Sequence, residues 1–294
     1  MNKVGFIGVG IMGKSMVRNL MKAGFELHIY ARTKSKVEDV ISEGAQFHES
    51  IKDCVQDCDA VITIVGFPQD VEEVYFDGGN ILDSAKKGAY LIDMTTTSPQ
   101  IAEKIYEEGT KRGFHVMDAP VTGGDTGAKA GTLSILVGGE KEDYEACMPL
   151  FEAMGTNINY QGKAGCGQHC KLANQIMIAG TLSGVCEALT YAKEQGLDPE
   201  VFMKSVATGA AGSKQLDTFG PKILKDDYAP GFFMKHFIKD MKLALIEANR
   251  KGLSLDVLSM VLANYEELEQ EGYGDLGTQA LMKFYDEEHR NMEE

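Results

Sequence analysis

The segment that most limits what this chain can fold into lies at its start. There the apolar run Lys3-Val4-Gly5-Phe6-Ile7 breaks straight into Gly8-Val9-Gly10-Ile11-Met12-Gly13, and a stretch of helical character, Lys14 to Ala23, follows at once. In a strand–turn–helix unit of this kind the first glycine permits the tight turn. The second lets the backbone approach a pyrophosphate, and the third lets the helix pack close to the strand. The helix N-terminus adds free N–H groups and a positive dipole end. Gly8, Gly10, Ile11, Met12 and Gly13 therefore read as a dinucleotide cradle. The alternative, a glycine-rich turn that holds nothing, loses ground because the motif sits between a strand and a helix.

The rest of the chain supports that placement. Short apolar runs at Lys3–Ile7, Glu26–Tyr30, Ala60–Val65, Tyr90–Asp93, His115–Asp118 and Ser134–Val137 alternate with helical stretches near Lys14–Lys22, Ser35–Ser42, Gln69–Val74, Gln100–Arg112 and Glu142–Met154. Such alternation marks βαβ units and a mostly parallel sheet. After Gly162 the pattern turns helical. A proline-free helix is expected over Gly167–Gln195, with others near Pro199–Thr208, Ser213–Leu224, Ile238–Lys251, Leu255–Glu271 and Leu276–Arg290. The expected fold is α/β: an N-terminal doubly wound Rossmann sheet over residues 1–163, then an all-α domain over 164–294. A long interdomain helix starts at the glycine-rich junction Gly162–Gly167 and joins them. The charged ending Asp286–Glu294 is expected to fray.

Composition narrows the partners. With 294 residues there is chain enough for one large or two ordinary domains. A net charge of −15 argues against nucleic acid and anionic membranes, which need clustered Lys and Arg. An anionic substrate would then need local positive charge in its pocket. The uncharged run Gln175–Cys186 is too short to span a bilayer and reads as a buried helix. No secretory segment precedes the first turn, so a cytoplasmic location is expected. Cys54/Cys58 and Cys166/Cys170 are spaced i,i+4, but neither pair is followed by a second at zinc-site spacing. No metal site is expected, and the six cysteines read as reduced, small hydrophobes.

The second strand carries the nucleotide preference. NAD binders usually place an acidic residue there for the ribose 2′-OH, whereas this chain has Ala31 followed by Arg32, Thr33, Lys34 and Lys36. Arg32 can grip a 2′-phosphate bidentately, Thr33 can donate a hydroxyl, and Lys36 adds charge. NADP(H) is favoured over NAD(H), with a merely solvated basic turn as the alternative.

Two further segments can carry chemistry. Asp118-Ala119-Pro120-Val121-Thr122-Gly123-Gly124 follows a late strand, where the carboxyl ends of a parallel sheet face the ligand crevice. Backbone N–H groups of Gly123 and Gly124, with the Thr122 hydroxyl, can hold a small carboxylate. Lys171 and Asn174 share a face of the junction helix. Hydride delivery to a carbonyl carbon leaves charge on its oxygen, and a lysine within reach can protonate it. Running in reverse it must be neutral, which desolvation favours. Lys239-Asp240, His169 and His236 are weaker candidates, more often surface or structural.

These segments together are similar to one family, the β-hydroxyacid dehydrogenases, which include 3-hydroxyisobutyrate dehydrogenase, tartronate semialdehyde reductase and the glyoxylate/succinic semialdehyde reductases. The resemblance rests on Gly8–Gly13 with Asn19-Leu20, Asp118–Gly124 with Gly127-Ala128 and Gly131-Thr132-Leu133, Gly162-x-x-Gly165-x-Gly167-x-x-x-Lys171-x-x-Asn174, and Lys239-Asp240 with Leu243-Ala244. It implies Lys171 as catalytic acid/base, Asn174 in substrate binding, and Thr122, Gly123 and Gly124 on the substrate carboxylate. It also implies Thr96 at the nicotinamide end, Lys239 near the closed cofactor site, and a homodimer or homotetramer formed through the helical domain. Thr122 stands where the family more often has serine, and Asp93-Met94-Thr95-Thr96-Thr97 is unusually polar. Both change pocket shape. The Ala31-Arg32-Thr33 turn and Lys235-His236 look like the semialdehyde and glyoxylate reductase branch, which points to NADPH-dependent reduction of a small aldehyde- or keto-acid. The alternatives are NAD-linked oxidation of a β-hydroxyacid such as 3-hydroxyisobutyrate, and a nucleotide-sensing protein without catalysis. Lys171 and Asn174 speak against the last.

Overall fold

Pairing starts where the chain is most apolar. The computed structural model describes residues 1–285, and in it β1 (Lys3–Ile7) lies between β2 (Glu26–Tyr30) and β4 (Ala60–Thr63), with β3 (Gln46–Phe47) outside β2. On the other side come β5 (Tyr90–Asp93) and β6 (His115–Asp118), so β3-β2-β1-β4-β5-β6 run parallel. Beyond β6 the sheet turns mixed. Here β8 (Leu133–Gly139) pairs antiparallel with β6 and with β7 (Val121–Thr122), and β9 (Gly155–Gly162) pairs parallel with β8.

Side chains of the parallel strands alternate between the two faces. Val4, Phe6, Ile62, Ile92 and Met117 join one cluster with Met16, Val17 and Leu20 of the helix Ile11–Lys22. Ile7, Val61, Leu91 and Val116 join another with Val71, Tyr75 and Ile105. Both faces are covered, which is why these strands read as continuous apolar runs. The strand order reverses between β1 and β4, so a ligand crevice belongs outside their carboxyl ends.

Several local expectations change. The stretch expected as one helix, Glu142–Met154, is two, Lys141–Ala146 and Met148–Met154, with Cys147 between them. Pro149 lies in the first turn of the second, where its missing N–H costs nothing. A short helix, Gly124–Ala130, opens at the second glycine of the turn read as carboxylate-holding. Cys54 and Cys58 are buried thiols that donate to the carbonyl oxygens of His28 and Cys54.

The chain divides into two compact units, the first ending at Lys171 and the second starting at Leu172. The division falls inside the long helix, Cys166–Glu194, later than the glycine-rich junction. The second unit contains helices Pro199–Val206, Lys214–Ile223, Met234–Arg250 and Asp256–Gln270. Where a helix was expected over Leu276–Arg290, tight three-residue turns run over Thr278–Tyr285. The remainder of that segment, and the ending Asp286–Glu294, lie outside the described residues. Cys166–Glu194 is the one helix among the described residues long and apolar enough to cross a membrane by length and composition. It is longer than its uncharged run suggests. Leu172, Ala179, Leu182, Cys186 and Leu189 pack into the core of the second unit, as in the central helix of a helical bundle.

Asp93, closing β5, is a buried acid in this frame. Its Oδ1 accepts from Thr63 Oγ1 at 2.7 Å and from the Thr95 N–H at 3.1 Å. Its Oδ2 is buried with no hydrogen-bond partner among the described residues. Burial pushes the carboxyl up to about 6, opposed by the Thr95 and Thr63 hydrogen bonds. A raised acid favours the folded state while protonated. That contribution is complete below about pH 4 and is lost as the pH rises through about 6, at a cost of at most about 3 kcal/mol. Asp93→Asn keeps an acceptor for both donors without the charge. Urea melts should show the variant gaining on wild type between about pH 4 and pH 6 and holding that gain above. A gap that does not change with pH would contradict this.

Candidate active site

The first turn of the helix Ile11–Lys22 starts at the switch point. Gly8 has φ +97°, and a Cβ there would lie 2.0 Å from the Ile64 carbonyl oxygen at the end of β4. A Cβ on Gly13 would lie 2.1 Å from the Gly8 carbonyl oxygen. Strand, turn and helix are thus in backbone contact, and no larger residue fits either position. Gly10 differs: a Cβ on it would meet nothing within 4 Å, and the residue is exposed. No side chain caps this helix start, and its first turn has no acidic residue. The N–H groups of Ile11, Met12 and Gly13 therefore sit at an open, uncapped helix end, which suits a pyrophosphate. Asn19, on the same helix, donates from Nδ2 to the Ala128 carbonyl oxygen at 2.7 Å. That bond fastens the cradle helix to the segment after Gly124.

Past β2, Arg32, Thr33 and Lys36 are all exposed, and Thr33 begins the tight turn Lys34–Lys36. Arg32 Nη2 lies 2.9 Å from Asp70 Oδ1, while the side chain remains 69% exposed. Asp70 Oδ2 accepts the Phe67 N–H, so the acid is fixed by the helix it caps. The guanidinium is thereby steered by one carboxylate and keeps most of its donors facing outward.

The chemistry-bearing segments gather at the carboxyl ends of β5 and β6. Asp118, the last residue of β6, accepts the Gly165 N–H at Oδ1 and the Gln168 N–H at Oδ2, each at 2.8 Å. Burial pushes this carboxyl up, and those two N–H groups pull it back. Gly167 admits the close approach, since a Cβ there would be 2.4 Å from the Leu136 carbonyl oxygen. Gln168 reaches the loop after β5: Nε2 donates to the Thr95 carbonyl oxygen at 2.7 Å, and Oε1 accepts the Thr97 N–H at 3.0 Å. Thr96 lies between those two groups. Lys171, one turn further along the helix, is 7% exposed. On the neighbouring loop Gly123 and Gly124 have φ +130° and +66°, with Thr122 closing β7 beside them.

The second unit holds its own polar chain. Asn174 Nδ2 donates to Gln175 Oε1 at 2.8 Å, Gln175 Nε2 donates to Asp240 Oδ2 at 2.7 Å, and Lys239 Nζ lies 2.9 Å from Asp240 Oδ1. Asp240 is fully buried, and the Lys239 side chain is 12% exposed. Lys239-Asp240 is therefore an internal pair, not the surface pair that an adjacent charge pair usually makes. His169 is exposed, and His236 stacks on Phe232 at 6.3 Å. Sequence reasoning missed Gln168, Gln175 and the anchoring role of Asp118. Gln168 had one usable signal, its place one turn before Lys171.

Comparisons with known proteins agree with this geometry. Residues 3–162 match the NAD binding domain of 6-phosphogluconate dehydrogenase, and residues 165–285 match the NAD-binding domain of NADP-dependent 3-hydroxyisobutyrate dehydrogenase. An uncharacterized oxidoreductase of Bacillus subtilis is 49% identical, over 96% of this chain and 98% of its own. A probable mitochondrial 3-hydroxyisobutyrate dehydrogenase-like protein of Arabidopsis thaliana is 44% identical over 95% and 84%. The 2-hydroxy-3-oxopropionate reductase of Escherichia coli is 37% identical over 86% of each. Among solved structures, the 3-hydroxyisobutyrate dehydrogenase of Mycobacterium tuberculosis, with L-serine, superposes with a TM-score of 0.88 at 26% identity, covering 96% and 98% of the two chains. With a dinucleotide cradle at the switch point, a buried lysine on the helix tied to β5 and β6, and matches along nearly its whole length, this chain belongs to the β-hydroxyacid dehydrogenase family of NAD(P)-dependent oxidoreductases.

Proposed function

We propose that this protein reduces a small aldehyde- or keto-acid to its hydroxyacid, with NADPH as the reductant. The observation that carries the reading is Lys171, buried on a helix whose first turns are pinned to the strand ends beside the cradle. The residues present fit a dinucleotide: Gly10 offers open backbone where a pyrophosphate belongs, and Gly8 and Gly13 permit nothing bulkier. When bound, the reduced nicotinamide would supply hydride to the substrate carbonyl carbon. Lys171 donates a proton from Nζ to the carbonyl oxygen as charge builds there. The N–H groups of Gly123 and Gly124 and the Thr122 hydroxyl hold the carboxylate, fixing which end of the substrate faces the lysine. The name of the Escherichia coli relative, a reductase of a three-carbon oxo acid, supports this substrate class.

The NADPH preference rests on Arg32, Thr33 and Lys36, with Ala31 where an acid would exclude a 2′-phosphate. The phosphate would compete with Asp70 for the Arg32 guanidinium, a pair that costs little to break at this exposure. Arg32→Ala should raise the KM for NADPH about 10- to 100-fold, as expected for a lost charged hydrogen bond, and leave that for NADH almost unchanged. Steady-state titration of both cofactors reads this out. Equal changes for both, or a wild type that turns over faster on NADH, would assign the protein to NAD. The substrate class is tested by NADPH consumption with glyoxylate, succinic semialdehyde, tartronate semialdehyde and methylmalonate semialdehyde beside aldehydes of matched length without a carboxylate. Activity should be confined to the acids. Equal turnover of the uncharged aldehydes would remove the role given to Thr122–Gly124.

A further inference from the structure

We infer that Gln168 is a positioning residue that sets the register between the Thr96 loop and the catalytic lysine. It acts through both ends of its side-chain amide. Gln168 is fully buried, accepts the Thr97 N–H at Oε1 and donates from Nε2 to the Thr95 carbonyl oxygen, at 3.0 and 2.7 Å. The amide thus takes the place of a neighbouring strand and pairs with the backbone on both sides of Thr96. Its own N–H is held by Asp118 Oδ2 at 2.8 Å. Residue 168 therefore joins three pieces of chain: the loop after β5, the end of β6, and the helix that presents Lys171 one turn later. The loop has another hold on the sheet, because the Thr95 N–H donates to Asp93 and the Thr95 hydroxyl accepts the Val65 N–H. Those bonds tie the loop to β4 and β5; the bonds from Gln168 tie it to the lysine's helix. A glutamine is needed because it offers one acceptor and one donor in a plane; a carboxylate offers two acceptors and would oppose the Thr95 carbonyl.

The inference rests on the reductase reading, in which Thr96 lines the nicotinamide end and Lys171 delivers the proton. A displacement of about 1 Å between such groups costs about 10²-fold in turnover. Gln168→Ala should therefore lower kcat by about that factor while the KM and Kd for NADPH stay near wild type, since Gly8–Gly13 and Arg32 are untouched. Gln168→Glu should be similarly slow at about pH 8 and should gain on wild type toward about pH 5, as its carboxyl takes up the proton that restores a donor to Thr95. Hydrogen exchange in the nucleotide-free protein gives a readout independent of turnover: the Thr97 amide, protected in wild type, should exchange faster in Gln168→Ala. A purely structural role would lower the melting temperature and leave kcat per folded molecule and the pH profile of Gln168→Glu unchanged; that result overturns the inference. Unchanged Thr97 exchange overturns it as well. A wild type with no NADPH-dependent reductase activity, but with Thr97 exchange that depends on Gln168, would instead count against the reductase reading.

Discussion

Lys171→Ala is expected to lower turnover by about 10²- to 10⁴-fold, the range that a well-placed general acid contributes, while nucleotide binding stays intact. The reasoning is electrostatic. Reduction places developing negative charge on the carbonyl oxygen, and that charge needs a donor within hydrogen-bond reach. The lysine is buried on a helix whose start is fixed by Asp118 and Gln168. On the proposed reading, removing the amine would leave the oxygen without its proton source. Lys171→Met, which keeps most of the side-chain volume, separates loss of the amine from loss of packing and should be as slow as the alanine variant. A small primary amine added to Lys171→Ala should restore part of the rate. Near wild-type turnover in either variant, with normal nucleotide binding, would take the acid/base role from Lys171.

Gly8→Ala should have the largest effect on the folded state. The position combines φ +97° with an approach of 2.0 Å between an added methyl and the Ile64 carbonyl oxygen. The dihedral alone costs a non-glycine residue about 1–2 kcal/mol. The contact is with backbone at the end of a central strand and cannot be relieved by a rotamer change. Separating β1 from β4 would disturb the ladder that pairs Ile7 with Thr63. A destabilisation above about 4 kcal/mol is expected, among the rare severe class of single substitutions, together with loss of dinucleotide binding. Gly10→Ala is the informative companion. A Cβ at Gly10 meets nothing, so that variant should melt close to wild type and yet bind NADPH weakly. Thermal melts with and without NADPH separate the two effects. Tight NADPH binding by Gly10→Ala would show that the pyrophosphate does not approach this turn.

The parts of the fold that were legible from the chain are those written in local pattern. Lys3–Ile7 and Tyr90–Asp93 are apolar on both faces, and they became central strands. The long helix showed itself by its lack of proline over nearly 30 residues. What stayed hidden depends on partners distant in sequence. The strand Gly155–Gly162 is mostly polar and partly exposed, with no apolar alternation to announce it; β8 recruits it at the sheet's far side. Gln46–Phe47 and Val121–Thr122 are too short to carry a period. The site divides the same way. Gly8, Gly10 and Gly13 could be read from spacing because each one's role is local. Lys171 and Asn174 could be placed on one helix face, and hydride chemistry suggested the proton donor before the resemblance implied the same role. Gln168 offered only its place one turn before Lys171, because its partners are Thr95 and Thr97, more than 70 positions earlier. Gln175 likewise acquires a role only through Asp240.

The most direct test is transfer of label. Wild-type protein is given NADPH carrying deuterium at both C4 positions of the nicotinamide, together with a small semialdehyde acid, and the product is read by mass spectrometry. The deuterium is expected at the new carbinol carbon of the hydroxyacid, with none washed into solvent, and Lys171→Met should form the same labelled product far more slowly. Hydroxyacid formed without the label, or no product from any of the acids while NADPH binds normally, would contradict hydride reduction at this site.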